Sequence, residues 1–181
     1  MRVLESERLL LKPIDVEDLK YLCDLRWNKE VTTWIIHEPI SYKQQLEWYN
    51  SLKKTDVALS IFYKSEKSTD ITIIGTIGLY DIHPKHQRAK WSLRITPEYW
   101  GKGIAKEVIK MFLDYVFNTM NVNKLMGDCF VENVVEVNVL TKMGFTSEGV
   151  WREHYFHKGK FRDSIQFTML RREYIKQNDL L

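Results

Sequence analysis

The chain contains no apolar run approaching the ~20 residues needed to cross a bilayer, so no membrane span is expected. Its opening, Met1–Arg8, lacks the apolar segment of a secretory leader, and none is expected. Only two cysteines occur, Cys23 and Cys129, far apart in apolar segments. They read as buried free thiols, which fits a reducing cytoplasm. Excess charge of one sign is also missing: 27 basic against 24 acidic residues leave a net +3. A nucleic-acid binder would show a concentrated basic stripe. The densest basic stretch, Lys85–Arg94, places Lys90 and Arg94 in an apparent strand and reads as a solvated face. His83-x-x-His86 and His154-x-x-His157 lack the companion ligands of a zinc site, so no metal is expected. A nucleophile elbow and a Cys/His pair are absent too. Without repeats, low-complexity tracts or a Gly/Ser linker, residues 1–181 read as one domain, with Ser65–Asp70 as a turn. A chain of this size buries roughly 70% of its surface on folding. With 44% hydrophobic and 28% charged residues, it has the makings of a soluble globule.

What is present is a clear alternation of periods. Arg8–Ile14 reads as a strand, and Asp15 caps a helix with apolar positions Val16, Leu19, Leu22 and Cys23. Ser41-Tyr-Lys-Gln44 has the form of a capping box and opens a second helix. Val57–Tyr63, Ile71–Tyr80 and Trp91–Ile95 are strand-like, the last stopped by Thr96-Pro97. From Gly103 the period changes: Ala105, Val108, Ile109, Phe112, Leu113, Val116 and Phe117 recur at helical steps. A strand at Leu125–Phe130, a helix at Val134–Met143 closed by Gly144, and a hairpin of Thr146–Phe156 with Phe161–Leu170 complete the chain. The order β-α-α-β-β-β-α-β-α-β-β predicts an α+β fold with a mixed, mostly antiparallel sheet flanked by helices.

The most informative segment is Ile95-Thr-Pro-Glu-Tyr-Trp-Gly-Lys-Gly-Ile-Ala-Lys106. A strand enters a tight glycine loop that opens directly into a long helix. Glycines at 101 and 103 permit backbone conformations closed to other residues and let a ligand approach the main chain. The first helical amides lack internal partners and sit at the positive end of the helix dipole. The combination suits a pyrophosphate, although a plain tight turn has the same local pattern. The Gly-Lys-Ser/Thr ending of a Walker loop and the βαβ setting of a dinucleotide fingerprint are both missing.

The wording of this turn resembles the GNAT superfamily of acetyltransferases, whose Gln/Arg-x-x-Gly-x-Gly/Ala junction matches Trp100-Gly-Lys-Gly103-Ile-Ala105 except at its first position. Pro97-x-x-Trp-Gly-Lys-Gly resembles the RimJ/RimL-like branch in particular. So do Asn133 with Leu140-Thr-Lys142-Met-Gly144-Phe145, the hairpin Arg152–Asp163, and the opening Glu7–Pro13. The likeness runs in order along nearly the whole chain. It implies the GNAT fold, in which a splayed strand pair binds acetyl-CoA as acyl donor. Leu93 and Ile95 would present backbone groups to the pantetheine arm. The amides of Gly101, Lys102, Gly103, Ile104, Ala105 and Lys106 would hold the pyrophosphate. Asn133 would bond the pantetheine or simply cap its helix, and Asn138 and Lys142 would lie near the sulfur and phosphate ends of the cofactor.

Amide formation from a thioester needs a neutral amine, a stabilised oxyanion and a departing thiolate. Many GNAT enzymes protonate the thiolate with a tyrosine where this chain has Leu140, and place a glutamate where it has Lys90. A thiol of pKa about 8.5 leaves without an acid. Asp128 and His83 are the candidate bases, each able to take a proton through water. The alternatives are a structural carboxylate and a loop residue just past its strand.

Three functions are compatible with these residues. One is an N-acetyltransferase for a small-molecule amine, another acts on a peptide N-terminus, and the third is a CoA-binding module without catalysis. Trp34 and His37 fall in the loop expected to border the acceptor. Polyamine acetyltransferases of similar sequence are acid-rich across the region matching Ile36–Glu47, where this chain offers only Glu38 and Glu47 beside Lys43. Arg152, Lys158, Lys160 and Arg162 outnumber Glu153 and Asp163 in the last hairpin. That balance suits an acceptor carrying negative charge, such as a nucleotide-linked amino sugar or an acidic peptide, and ordinary solvated surface is the alternative. The branch acting on such sugars also resembles the chain at Leu25-Arg-Trp-Asn28. A homodimer is carried as the expected assembly.

Overall fold

The computed structural model describes residues 3–35, 39–53, 55–65 and 70–178. Its strands are β1 (Leu4–Glu5), β2 (Leu9–Pro13), β3 (Val57–Lys64), β4 (Ile71–His83), β5 (Arg88–Ile95), β6 (Lys124–Phe130), β7 (Thr146–His157) and β8 (Lys160–Leu170). The α-helices are α1 (Leu19–Leu25), α2 (Val31–Trp34), α3 (Tyr42–Ser51), α4 (Ile104–Thr119), α5 (Val134–Lys142) and α6 (Arg171–Asn178). The strands hydrogen-bond in the order β1-β2-β3-β4-β5-β6-β8-β7. β5 pairs with β6 in parallel, while the pairs β1–β2, β2–β3, β3–β4, β6–β8 and β7–β8 are antiparallel. This is the mixed, mostly antiparallel sheet expected from the period pattern. The chain forms two compact units, residues 1–80 with 92–112 and residues 81–91 with 113–181.

In the first unit, Leu9 and Leu11 of β2 and Leu59 and Ile61 of β3 are fully buried, one side chain in two along each strand. Asp15 caps the turn before α1 as expected, but the cap is deeper than the sequence implied. The Asp18 carboxylate accepts from the Asp15 amide at 3.0 Å and from the buried Ser60 hydroxyl at 2.7 Å. That satisfies a carboxylate with little access to water. Ser41 forms the predicted capping box with Gln44. The helix it opens buries only one residue, and that residue is polar, Gln45.

The second unit is built on β6, β8 and β7, with Leu125, Phe130, Phe167 and Met169 nearly inaccessible. Gly144 adopts φ +85 after α5, and the Phe145 amide bonds back to the Leu140 carbonyl at 3.0 Å, the predicted glycine stop. Cys23 and Cys129 are both buried free thiols. Three elements were not anticipated. They are β1, paired along β2; α2, started by the Asn28 side chain accepting from the Glu30 and Val31 amides; and α6. β4 also runs three residues beyond Tyr80, so His83 ends a strand rather than following one. Asp81, at φ 55, lies within that extension and ion-pairs with Lys90 at 3.4 Å. No described helix is long and apolar enough to cross a membrane. His37, Glu38 and residues 66–69 of the expected turn lie outside the described residues.

Candidate active site

The glycine turn is assembled within the first unit. Gly101 and Gly103 adopt φ +70 and +77, the left-handed region where a side chain is strained. A Cβ built on either would meet nothing within 4 Å, so the main chain here is open on its outer side. α4 starts at once, and its first bond back into the turn runs from the Glu107 amide to the Gly103 carbonyl. The preceding amides have no helical acceptor and form the anion-accepting end of the helix. Packing holds the turn in place: Ile104, Val108, Ile109 and Phe112 are buried along one face, while Lys102 and Lys106 are exposed and Ala105 is half-buried.

Two further contacts shape this end. The Trp100 indole donates to the Ile95 carbonyl at 2.7 Å, so that carbonyl is already engaged. Glu107 would repel an anion so close to the helix start, but its carboxylate accepts from the Ser6 hydroxyl at 2.6 Å and from Arg8. Burial pushes its pKa up, and the Ser6 and Arg8 bonds more than offset this, leaving it below its ordinary value. Leu93 is half-buried on the same strand. Its neighbour Arg94 corrects the expectation of a solvated basic face. The side chain is half-buried, its enclosed Nε lacks a hydrogen-bond partner, and burial lowers its pKa to about 10.

In the second unit, the β5–β6 ladder ends at Lys90–Met126, and β6 continues to Phe130 without it. Asp128 lies on that continuation, half-buried, with one carboxylate oxygen enclosed and unpartnered. Its important neighbour went unnoticed in the sequence. Glu136 is on the first turn of α5, and burial, then the Asp128 charge, raise its pKa to about 7. Asn133 links helix and carboxylate: its side chain accepts from the Glu136 amide at 3.3 Å and donates to the Glu136 carboxylate at 2.7 Å. The capping role expected of Asn133 is therefore present. Burial, then Glu136 and Asp128, push the Cys129 thiol far up, so this cysteine is no nucleophile. Asn138 and Lys142 are exposed on the same helix, and Leu140 is core, 3% exposed. His83 does not join the carboxylates; its imidazole stacks on His86 at 4.2 Å and accepts from the His86 amide. The only sequence sign of Glu136 was its spacing from a cap asparagine, which does not reveal a carboxylate on another element.

Comparison with known proteins gives this arrangement a family. Residues 8–146 match the model of the acetyltransferase (GNAT) domain. An uncharacterized N-acetyltransferase p20 of Bacillus licheniformis is 31% identical over 96% of this chain and 99% of its own length. Spermidine N(1)-acetyltransferase of Escherichia coli K12 is 30% identical over 93% of this chain and 89% of its own. Among solved structures, spermidine N-acetyltransferase from Vibrio cholerae, in complex with CoA and spermine, superposes with a TM-score of 0.84. It is 27% identical, covering 94% of this chain and 99% of that one. The chain belongs to the GNAT acetyltransferase family and is an N-acetyltransferase that uses acetyl-CoA as its donor.

Proposed function

We propose that the enzyme, as a single domain of the RimJ/RimL-like branch, acetylates a primary amine of a small molecule bearing negative charge, with a nucleotide-linked amino sugar as the representative acceptor. The observation that carries this reading is the half-buried Arg94, whose enclosed Nε has no hydrogen-bond partner and whose charge has no carboxylate partner among the described residues. A polycation would raise the electrostatic cost of that charge, whereas an acidic acceptor offsets it. Acid on α3 is scarce as well, since Glu47 is exposed and faces Lys43 at 3.9 Å.

Acetyl-CoA is assigned to the amides of Gly101–Lys106, with backbone groups of Leu93 and Ile95 and the side chains of Asn133, Asn138 and Lys142 as further contacts. In the reaction the amine nitrogen attacks the thioester carbonyl, a backbone N–H holds the oxyanion, and the C–S bond breaks to release the CoA thiolate, which takes a proton from solvent. Asp128, beside Glu136, takes the amine proton directly or through water. Glu136, whose pKa burial and then the Asp128 charge raise to about 7, exchanges a proton near neutrality beside this base, which suits catalysis at pH 7. Leu140 contributes packing, and the thiolate leaves without an acid from that position.

A polyamine acceptor is the second reading, favoured by the spermidine acetyltransferases among the relatives. A thiol-release assay with acetyl-CoA and three acceptors tests both: a nucleotide-linked amino sugar, spermidine and a peptide with a free N-terminus. Highest kcat/KM for the sugar supports the proposal, and highest for spermidine refutes it. The peptide arm tests protein N-terminal acetylation. The buried free cysteines support a cytoplasmic location, and light scattering checks the expected homodimer.

A further inference from the structure

Two arginines of the first unit, Arg26 and Arg94, repel one another, and neither meets a counter-charge among the described residues. Arg94 sits on β5, where Ala89, Trp91 and Ile95 are the buried positions and Arg94 falls on the alternate face. Its enclosed Nε makes no hydrogen bond. Burial first, and then the charge of Arg26, act against its ionisation. Arg26 follows the last residue of α1, is half-buried, and donates from Nε to the Gln45 side chain at 3.1 Å. Gln45 is 1% exposed and is the one buried residue of α3, so an inward-facing amide is spent on orienting this guanidinium. Neither arginine has an acidic partner among the described residues.

That arrangement is costly as it stands. A guanidinium does not shed its proton at any working pH, so desolvation cannot be relieved by neutralisation. An unpaired buried charge is penalised by several kcal/mol, and a second like charge adds to it. An anion between the two forks removes both penalties. Guanidinium geometry suits the paired oxygens of a phosphate or carboxylate.

We propose that Arg26 and Arg94 form the acceptor-recognition subsite, binding a phosphate or carboxylate group of the amine substrate. Gln45 is a positioning residue that fixes the Arg26 fork. The inference rests on the acceptor reading above and deepens it, because it names the residues that select an acidic acceptor.

The test separates the subsite from turnover. With CoA saturating, so that its own phosphate site is filled, inorganic phosphate and acetate are titrated while the melting temperature is followed. Both the wild-type enzyme and Arg94→Gln are measured. The subsite predicts that at least one anion protects the wild type, with protection at a given concentration lost in Arg94→Gln; which anion acts distinguishes phosphate from carboxylate recognition. Kinetically, the ratio of kcat/KM for glucosamine 6-phosphate over glucosamine should fall about 10²-fold in Arg94→Gln, mainly through KM, the scale of a lost charge-assisted pair. Arg26→Gln should move the ratio the same way, and Arg94→Lys should restore it only in part because the fork is gone. Arg26→Gln at a less enclosed position serves if Arg94→Gln does not fold. Equal anion protection in wild type and variants overturns the subsite even if an amine is acetylated. Anion protection lost in the variants, with none of the acidic amines acetylated, leaves the anion subsite standing and overturns the acceptor reading instead.

Discussion

Replacing Glu136 by Gln should change how stability depends on pH, by an amount that follows from the carboxylate cluster. Glu136 has its pKa raised from an ordinary 4.5 to about 7 by burial and then by Asp128. The folded protein therefore holds this proton more tightly than the unfolded chain does. Stability from this group is complete below about 4.5 and is lost as pH rises through about 7. The difference of about 2.5 units corresponds to about 3 kcal/mol at pH 8 relative to acid. Gln keeps an acceptor for the Asn133 amide, 2.7 Å away in the native protein, and removes the titration. Urea unfolding of both proteins between pH 5 and pH 8 is the assay. The native enzyme should lose about 2.5 kcal/mol more than Glu136→Gln over that range, so the variant becomes relatively more stable at alkaline pH. Parallel curves would refute the raised carboxylate and, with it, the base pair built on it.

Other expectations follow from the same geometry. Ala105→Asp should weaken acetyl-CoA binding sharply by calorimetry, because it sets a carboxylate at a helix start that accepts the pyrophosphate; unchanged affinity in a folded variant would remove the cofactor from this turn. Asp128→Asn should lower kcat by ~10²-fold with acetyl-CoA affinity nearly constant. Near-native turnover would return Asp128 to a structural role and move the search to His83. Gly75→Ala should lower the melting temperature, costing about 1–3 kcal/mol, since its new Cβ would collide with the Arg94 carbonyl oxygen. An unchanged melting temperature would contradict the close approach of these two main chains.

Those elements that repeat a simple period were readable in the sequence. α4 is the clearest, with Val108, Ile109, Phe112, Leu113, Val116 and Phe117 all nearly inaccessible, as their spacing required. The glycine turn was readable for a different reason: positive φ at 101 and 103 favours glycine. α6 was not readable, because Arg171–Asn178 has no apolar stripe. A local cap, Glu173 accepting from the Leu170 amide at 2.9 Å, starts it, and a tertiary contact, Tyr174 stacked on Phe117 at 5.2 Å, holds it. Tertiary context also decided the charges. Arg94 looks solvated in a basic stretch, and Glu136 looks like an ordinary first-turn acid. Arg94 faces the charge of Arg26 after α1, and Glu136 that of Asp128 on β6, which no local pattern announces.

The acceptor's charge is the central claim, and competition tests it most directly. The nucleotide-linked amino sugar, spermidine and an N-terminal peptide are mixed at equal concentration with limiting acetyl-CoA, and the products are resolved by mass spectrometry. The account predicts that the acetylated amino sugar dominates the products. Acetylspermidine as the main product would contradict it.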